Sequence, residues 1–234
     1  MIRAALVAWF ALWTVALGLG PSSEAGAATV ITGTVKNQAG KPLAGLALVE
    51  KGEIHNNKWD RGAPVDANGR FRIELSEGGH YGLHVYSSGY LYSPEAVKVD
   101  TGRTLEVKMV LDPEPTRANT PIIKRAGFFP WEARQGKVTF VKLDVEDPNG
   151  DLGPQVLAFN AVTGRAHAMD PPKRIKDLKA NFPNGVYQLE VDTSKAAINP
   201  KDWHFVVADH QCNTTDILSF PHEPKPLKVI KVAK

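Results

Sequence analysis

From Ala63 to Tyr90, apolar and polar positions alternate with a period of two, and Gly, Asn and Asp interrupt the alternation at short intervals. Phe71, Ile73 and Leu75 alternate with Arg70, Arg72 and Glu74. Tyr81, Leu83 and Val85 alternate with His80, Gly82, His84 and Tyr86. Val65 to Arg70 and Ser76 to Gly79 are turn clusters between them. Period two broken by turn residues predicts half-buried antiparallel strands.

The same pattern extends both ways. Ile31 to Val35, Leu46 to Glu50, Val97 to Val99 and Leu105 to Val110 are further strands, and Asn37 to Leu43 is a turn. Glu53 to Arg61 is polar and predicts a loop. Strands this closely spaced, with no helical period, predict a sandwich. Asp112-Pro113-Glu114-Pro115-Thr116 is a stiff junction. Beyond it, Val141, Leu143 and Val145 face one way and Lys142, Asp144 and Glu146 the other, on one long strand from Lys137 to Glu146. Leu157 to Phe159, Val186 to Val191 and Trp203 to Ala208 read as strands, with Ile122-Ile123 starting one and Leu227 to Val232 closing an edge. A short helix is predicted only at Ile175 to Ala180. Phe128-Phe129-Pro130-Trp131 reads first as packing, and alternatively as an exposed aromatic platform. The expected fold is all-β, with two β-sandwich domains in tandem at 29–113 and 114–234.

Four motifs carry a family resemblance: Gly33-Thr34-Val35, Gly40 to Gly45, Asp66 to Phe71, and Tyr81 to Val85 running on to Gly89-Tyr90. Over about 30–112 they resemble the carboxypeptidase regulatory-like domain, a prealbumin-like β-sandwich close to starch-binding-like modules. The resemblance implies an accessory domain of exported proteins and no peptidase activity. No His-x-x-Glu occurs in the chain. The turn from Val145 to Leu152 is similar to those of bacterial Ig-like domains, a weaker likeness that implies an Ig-like sandwich at about 118–234.

Composition adds compartment. Arg3, an apolar run from Ala4 to Leu19, a break at Gly20-Pro21 and small residues at Ala25-Gly26-Ala27 predict a secretory signal over 1–27. The expected location is the bacterial periplasm or outside the cell, with no stable membrane span once the signal is removed. The single cysteine, Cys212, excludes internal disulfides, so the cores must supply the stability. A formal net charge of +3 gives no ground for a nucleic-acid partner. No dinucleotide or phosphate-cradling glycine motif is present, so no cofactor is expected.

The candidate sites follow from these strands. If Tyr81, Leu83 and Val85 fill a core, His80, His84 and Tyr86 lie on the opposite face. They read as solvated surface residues or, with His55 and Trp59, as a ligand-binding face. Their Cα atoms put His80 and His84 about 13 Å apart on a strand, too far to share one ion. His210 and Cys212 stand close enough to share copper or zinc, with His204 joining if the chain turns near Asp209. The competing readings for Cys212 are a buried or capped thiol and an intermolecular disulfide. Asp147, Asn149 and Asp151 suggest calcium, but an EF-hand frame from Asp147 finds Leu152 and Ala158 where Gly and Glu are needed. The simpler reading is a turn with Asx bonds. The function expected is a non-catalytic binding or scaffolding accessory. Its ligand class is carbohydrate or another envelope protein, and the alternative is a copper- or zinc-binding protein.

Overall fold

The computed structural model describes residues 27–133, 136–171, 184–194 and 196–219. The predicted leader up to Gly26, the predicted helix, the predicted strand at 227–232 and the Trp131 side chain lie outside the described residues. In chain order the strands are β1 (Thr29–Asn37), β2 (Gly45–Lys51), β3 (Trp59–Val65), β4 (Arg70–Leu75), β5 (Gly79–Tyr86), β6 (Ser93–Val99) and β7 (Thr104–Leu111). The second half adds β8 (Ile122–Ala133), β9 (Gly136–Glu146), β10 (Leu152–Asn160), β11 (Arg165–Ala168), β12 (Gly185–Asp192), β13 (Trp203–Asp209) and β14 (Leu218–Ser219). The protein is all-β, as the alternation predicts.

Three sheets build the described residues. β4-β1-β7 and β12-β9-β8 are three-stranded, and between them an eight-stranded sheet runs β14-β13-β10-β11-β3-β2-β5-β6. That central sheet crosses the junction at 112–116, since its first four strands come from the second half of the chain. The crossing is narrow. Arg61 pairs with Arg165, the Gly62 amide donates to the Gly164 carbonyl at 2.9 Å, and Arg61 Nη1 donates to the Thr163 carbonyl at 3.0 Å. Gly62 is needed there. A Cβ on it would sit 2.4 Å from Leu48 Cδ2 and 2.9 Å from the Ala47 carbonyl oxygen.

The cores explain why several strands do not alternate. On β2, Ala47 and Val49 pack with Ile31, Leu83, Val85 and Val107 into one core. Leu46 and Leu48, on the other face, pack with Leu157, Phe159, Val206 and Ala208 from β10 and β13. Val156, Ala158, Phe205 and Val207 turn the opposite way, into a core with Val141, Leu143 and Tyr187. β2, β10 and β13 are therefore covered on both faces and read as continuous apolar runs. The middle core requires the central sheet to fold back on itself at β3 and β11, giving four stacked layers. Each fully buried Leu, Phe or Val in it contributes about 1.5–3 kcal/mol. That exceeds the roughly 1 kcal/mol net of a typical hydrogen bond, so apolar burial drives the association of the halves and polar contacts set its register.

The second face of β5 is consequently not open. His84 and Tyr86 are fully buried, Tyr86 against the second half and His84 beneath Glu50, His55 and Trp59, which corrects the expectation that they stand on a solvated face. Only His80, nearer the start of β5, remains exposed.

Candidate functional site

The middle core carries a buried polar seam at one end. His84 Nε2 stands 2.7 Å from Glu50 Oε1, and both side chains are inaccessible to solvent. Glu50 also gathers the loop between β2 and β3. Its Oε1 accepts from the His55 amide and its Oε2 from the Asn57 amide, the latter at 2.9 Å. His55 and Asn57 both take left-handed backbone, φ +66° and +61°, a conformation disfavoured for residues with a Cβ. The carboxylate holds them there. Burial pushes the Glu50 carboxyl up, but the bonds from His84 and the His55 amide outweigh it and leave it below its ordinary value.

Aromatic rings close around the pair. Trp59 lies 4.8 Å from His84 between ring centroids, His55 5.6 Å, Tyr92 6.1 Å and Tyr86 6.4 Å. The Trp59 indole donates to Asn57 Oδ1 at 2.9 Å.

Gln155 joins the halves. A bulge in the pairing of β10 with β13, between Leu152 and Gln155, sets its position at the strand start. Its Oε1 accepts from the Tyr86 hydroxyl at 2.8 Å, and its Nε2 donates to the Tyr92 hydroxyl at 3.1 Å and His55 Nδ1 at 3.3 Å. Accepting at Nδ1 makes His55 a neutral imidazole, and burial lowers its pKa in the same direction. The Tyr92 hydroxyl continues the chain to the Cys212 thiol, and the Cys212 carbonyl accepts from the Tyr92 amide at 2.9 Å. Burial raises the thiol's pKa, so Cys212 is a capped thiol and not an activated thiolate. Tyr86→Phe leaves the Gln155 carbonyl oxygen without its donor. The expected cost is about 1–2 kcal/mol by urea denaturation, with the folded structure unchanged.

Of the residues singled out from sequence, the structure brings together His55, Trp59, His84 and Tyr86, with Cys212 at the far end of the same seam. It leaves out His80, which faces solvent beside Lys98 of β6. His204 lies at the start of β13, where its Nδ1 is 2.7 Å from Ser219 Oγ and its ring stacks on Phe159. β13 runs straight on to Asp209, which puts His204 about 20 Å from His210. His210 donates its amide to the Asp151 carbonyl at 3.0 Å. The three proposed copper or zinc ligands therefore do not converge. Among the described residues, one set of three His, Cys, Asp or Glu ligand atoms lies within 4.8 Å of one another: Asp147, Asp151 and Asp209.

Sequence reasoning missed Glu50, Tyr92 and Gln155. Glu50 left a signal, a carboxylate continuing the apolar face of Leu46 and Leu48. Gln155, at the head of an apolar run, left a fainter one.

Stacked sheets, antiparallel except for the parallel pairing of β1 with β7, with a polar seam between them define the class: a layered β-sandwich protein. Within it, residues 30–112 match the carboxypeptidase regulatory-like domain and form one. That is a little over a third of the chain. No curated protein matches the sequence. Among solved structures, a type II cohesin–X-dockerin complex from Acetivibrio cellulolyticus is 22% identical with a TM-score of 0.26, over 36% of this chain. The match spans 56% of that chain. A DUF3823 family protein from Parabacteroides merdae is 14% identical with a TM-score of 0.29, covering 82% of this chain and 98% of that one. The major pilin subunit of Bacillus cereus, BcpA, is 12% identical with a TM-score of 0.31, covering 82% and 68%. TM-scores this low do not define a shared fold. No helix among the described residues is long and apolar enough to cross a membrane.

Proposed function

We propose that the chain is an exported, non-catalytic binding or scaffolding protein of the bacterial envelope, built as two sandwiches. The observation that supports this is the seam. Glu50, His84, Tyr86, Tyr92 and Gln155 are buried and, with the exposed His55 and half-buried Cys212 at the margins, hold one another, so these side chains serve as an internal clasp.

Ligand binding then falls to open surface. A concavity of about 560 Å³ among the described residues lies on the second half beside β8 and β9. Phe128 and Ile198 give it an apolar floor, and Thr139, Thr193, Ser194 and Lys137 supply hydroxyls and a cation. An aromatic floor with hydroxyl and ammonium donors suits a neutral or acidic glycan. Purified protein is expected to retain glycans on an envelope-polysaccharide array, and to lose them in Ala197→Trp, which fills the groove from its exposed rim. It is expected to turn over none of a pooled set of esters, glycosides and peptides. Turnover by the purified protein would overturn this reading, as would glycan retention unchanged by Ala197→Trp.

A further inference from the structure

We infer that Asp147, Asp151 and Asp209 bind a calcium ion that ties the β9–β10 turn to the end of β13. Their carboxylate oxygens lie within 4.8 Å of one another. Calcium–oxygen distances of about 2.3–2.6 Å allow two ligands of one ion to stand up to about 5 Å apart, so the three fit one coordination sphere.

The second observation is the state of Asp147. It is 2% exposed, and neither of its carboxylate oxygens accepts a hydrogen bond; Asp151 Oδ1 is buried without a donor as well. A buried carboxylate normally has a donor or a cation, because stranding it costs several kcal/mol. Burial, then the contact with and charge of Asp151, push the Asp147 carboxyl above its ordinary value.

The rest of the site is held in place. Asp209 Oδ1 accepts from the amides of Gln211 and Asn213, each at 2.8 Å, and its Oδ2 from Asn213 Nδ2 at 2.7 Å. Asn184 fixes the turn by accepting from the Asp147 amide at 2.8 Å and donating to its carbonyl at 3.1 Å. All three ligand atoms are hard oxygens, which favours calcium over copper or zinc. The EF-hand frame fails on this sequence because the third carboxylate comes from the end of β13, far along the chain. The ion would also brace the 209–213 loop, which carries Cys212 and so the far end of the seam. This inference stands independently of the glycan reading.

The test is thermal unfolding and titration calorimetry of the purified chain, stripped with EGTA and then given calcium chloride. At calcium about tenfold above the dissociation constant, expected near 10⁻⁴–10⁻³ M, the midpoint should rise by about 4 °C. Asp147→Asn should remove both the binding heat and the shift. It should also melt higher than the calcium-free wild type, because it deletes a buried unpaired charge. No heat and no shift at about 10 mM calcium, tenfold above the weakest expected dissociation constant, would overturn the inference. So would an unchanged calcium response in Asp147→Asn, or a calcium-free Asp147→Asn that melts below the wild type.

Discussion

His84→Ala is expected to lower the free energy of unfolding by about 3–5 kcal/mol, the cost of breaking a buried pair by removing one partner. Glu50 would keep its two loop amides but lose the imidazole that compensates the rest of its charge. The ring is also packed among Trp59, His55, Tyr86 and Tyr92, so a cavity adds to the loss. Adding Glu50→Gln should recover part of the loss, since the stranded charge is then gone. In the wild-type background Glu50→Gln alone should be destabilising, and that change of sign is the coupling a double-mutant cycle reads.

The pair also sets an acid limb. The Glu50 carboxyl sits below its unfolded value of 4.5, so the unfolded chain takes up a proton there first as pH falls. Its contribution is complete above about pH 4.5 and is lost as pH falls through the folded value. His84→Ala removes the largest cause of the lowering, so its stability should fall less steeply below pH 4.5. Urea denaturation of both proteins across that range measures the difference. A cost under 1 kcal/mol for His84→Ala would show that the imidazole does not compensate Glu50.

Gly45→Ala is the second large effect. A Cβ at Gly45 would lie 1.9 Å from the Tyr86 carbonyl oxygen, 3.0 Å from its carbon and 3.3 Å from Ser87 Cα. All three atoms are backbone, so no side chain can swing away. The neighbouring residues are register partners, Leu46 with Tyr86 on β5, and relief requires the strands to part. The displaced end of β5 carries the Tyr86 hydroxyl that Gln155 holds. Overpacking of this kind costs about 3 kcal/mol, or a midpoint lower by about 6–12 °C for a chain of this size. Thermal unfolding followed by circular dichroism checks it. A midpoint within 2 °C of wild type would mean that β2 and β5 do not approach this closely.

Most of the first half was legible because its outer strands are covered on one face. β4 alternates cleanly, with Phe71, Ile73 and Leu75 buried and Arg70, Arg72 and Glu74 exposed. The same logic misled on β5. Alternation shows that two faces differ, and a face with His84 and Tyr86 looks solvated unless a second layer is known to cover it. Tyr86 is covered from β10 and β13, tens of residues away, and His84 from Glu50 and the β2–β3 loop, and no local pattern records either pairing. The continuous apolar runs Leu46 to Val49 and Leu157 to Phe159 were the trace of strands buried on both sides. Periodicity alone did not say that they bury against each other. The site divided likewise. His55, Trp59, His84 and Tyr86 stood out by residue type, whereas Glu50 and Gln155 act through partners in three dimensions. Asp209 lies far in sequence from Asp147 and Asp151, beyond the reach of any spacing rule.

Differential scanning calorimetry of the purified chain tests most directly whether a folded-back sheet and a buried clasp make one body of the two halves. A single transition is expected, with van't Hoff and calorimetric enthalpies equal, and His84→Ala should move it as a whole to lower temperature. Two separated transitions, with His84→Ala shifting only the one belonging to residues 30–112, would contradict it.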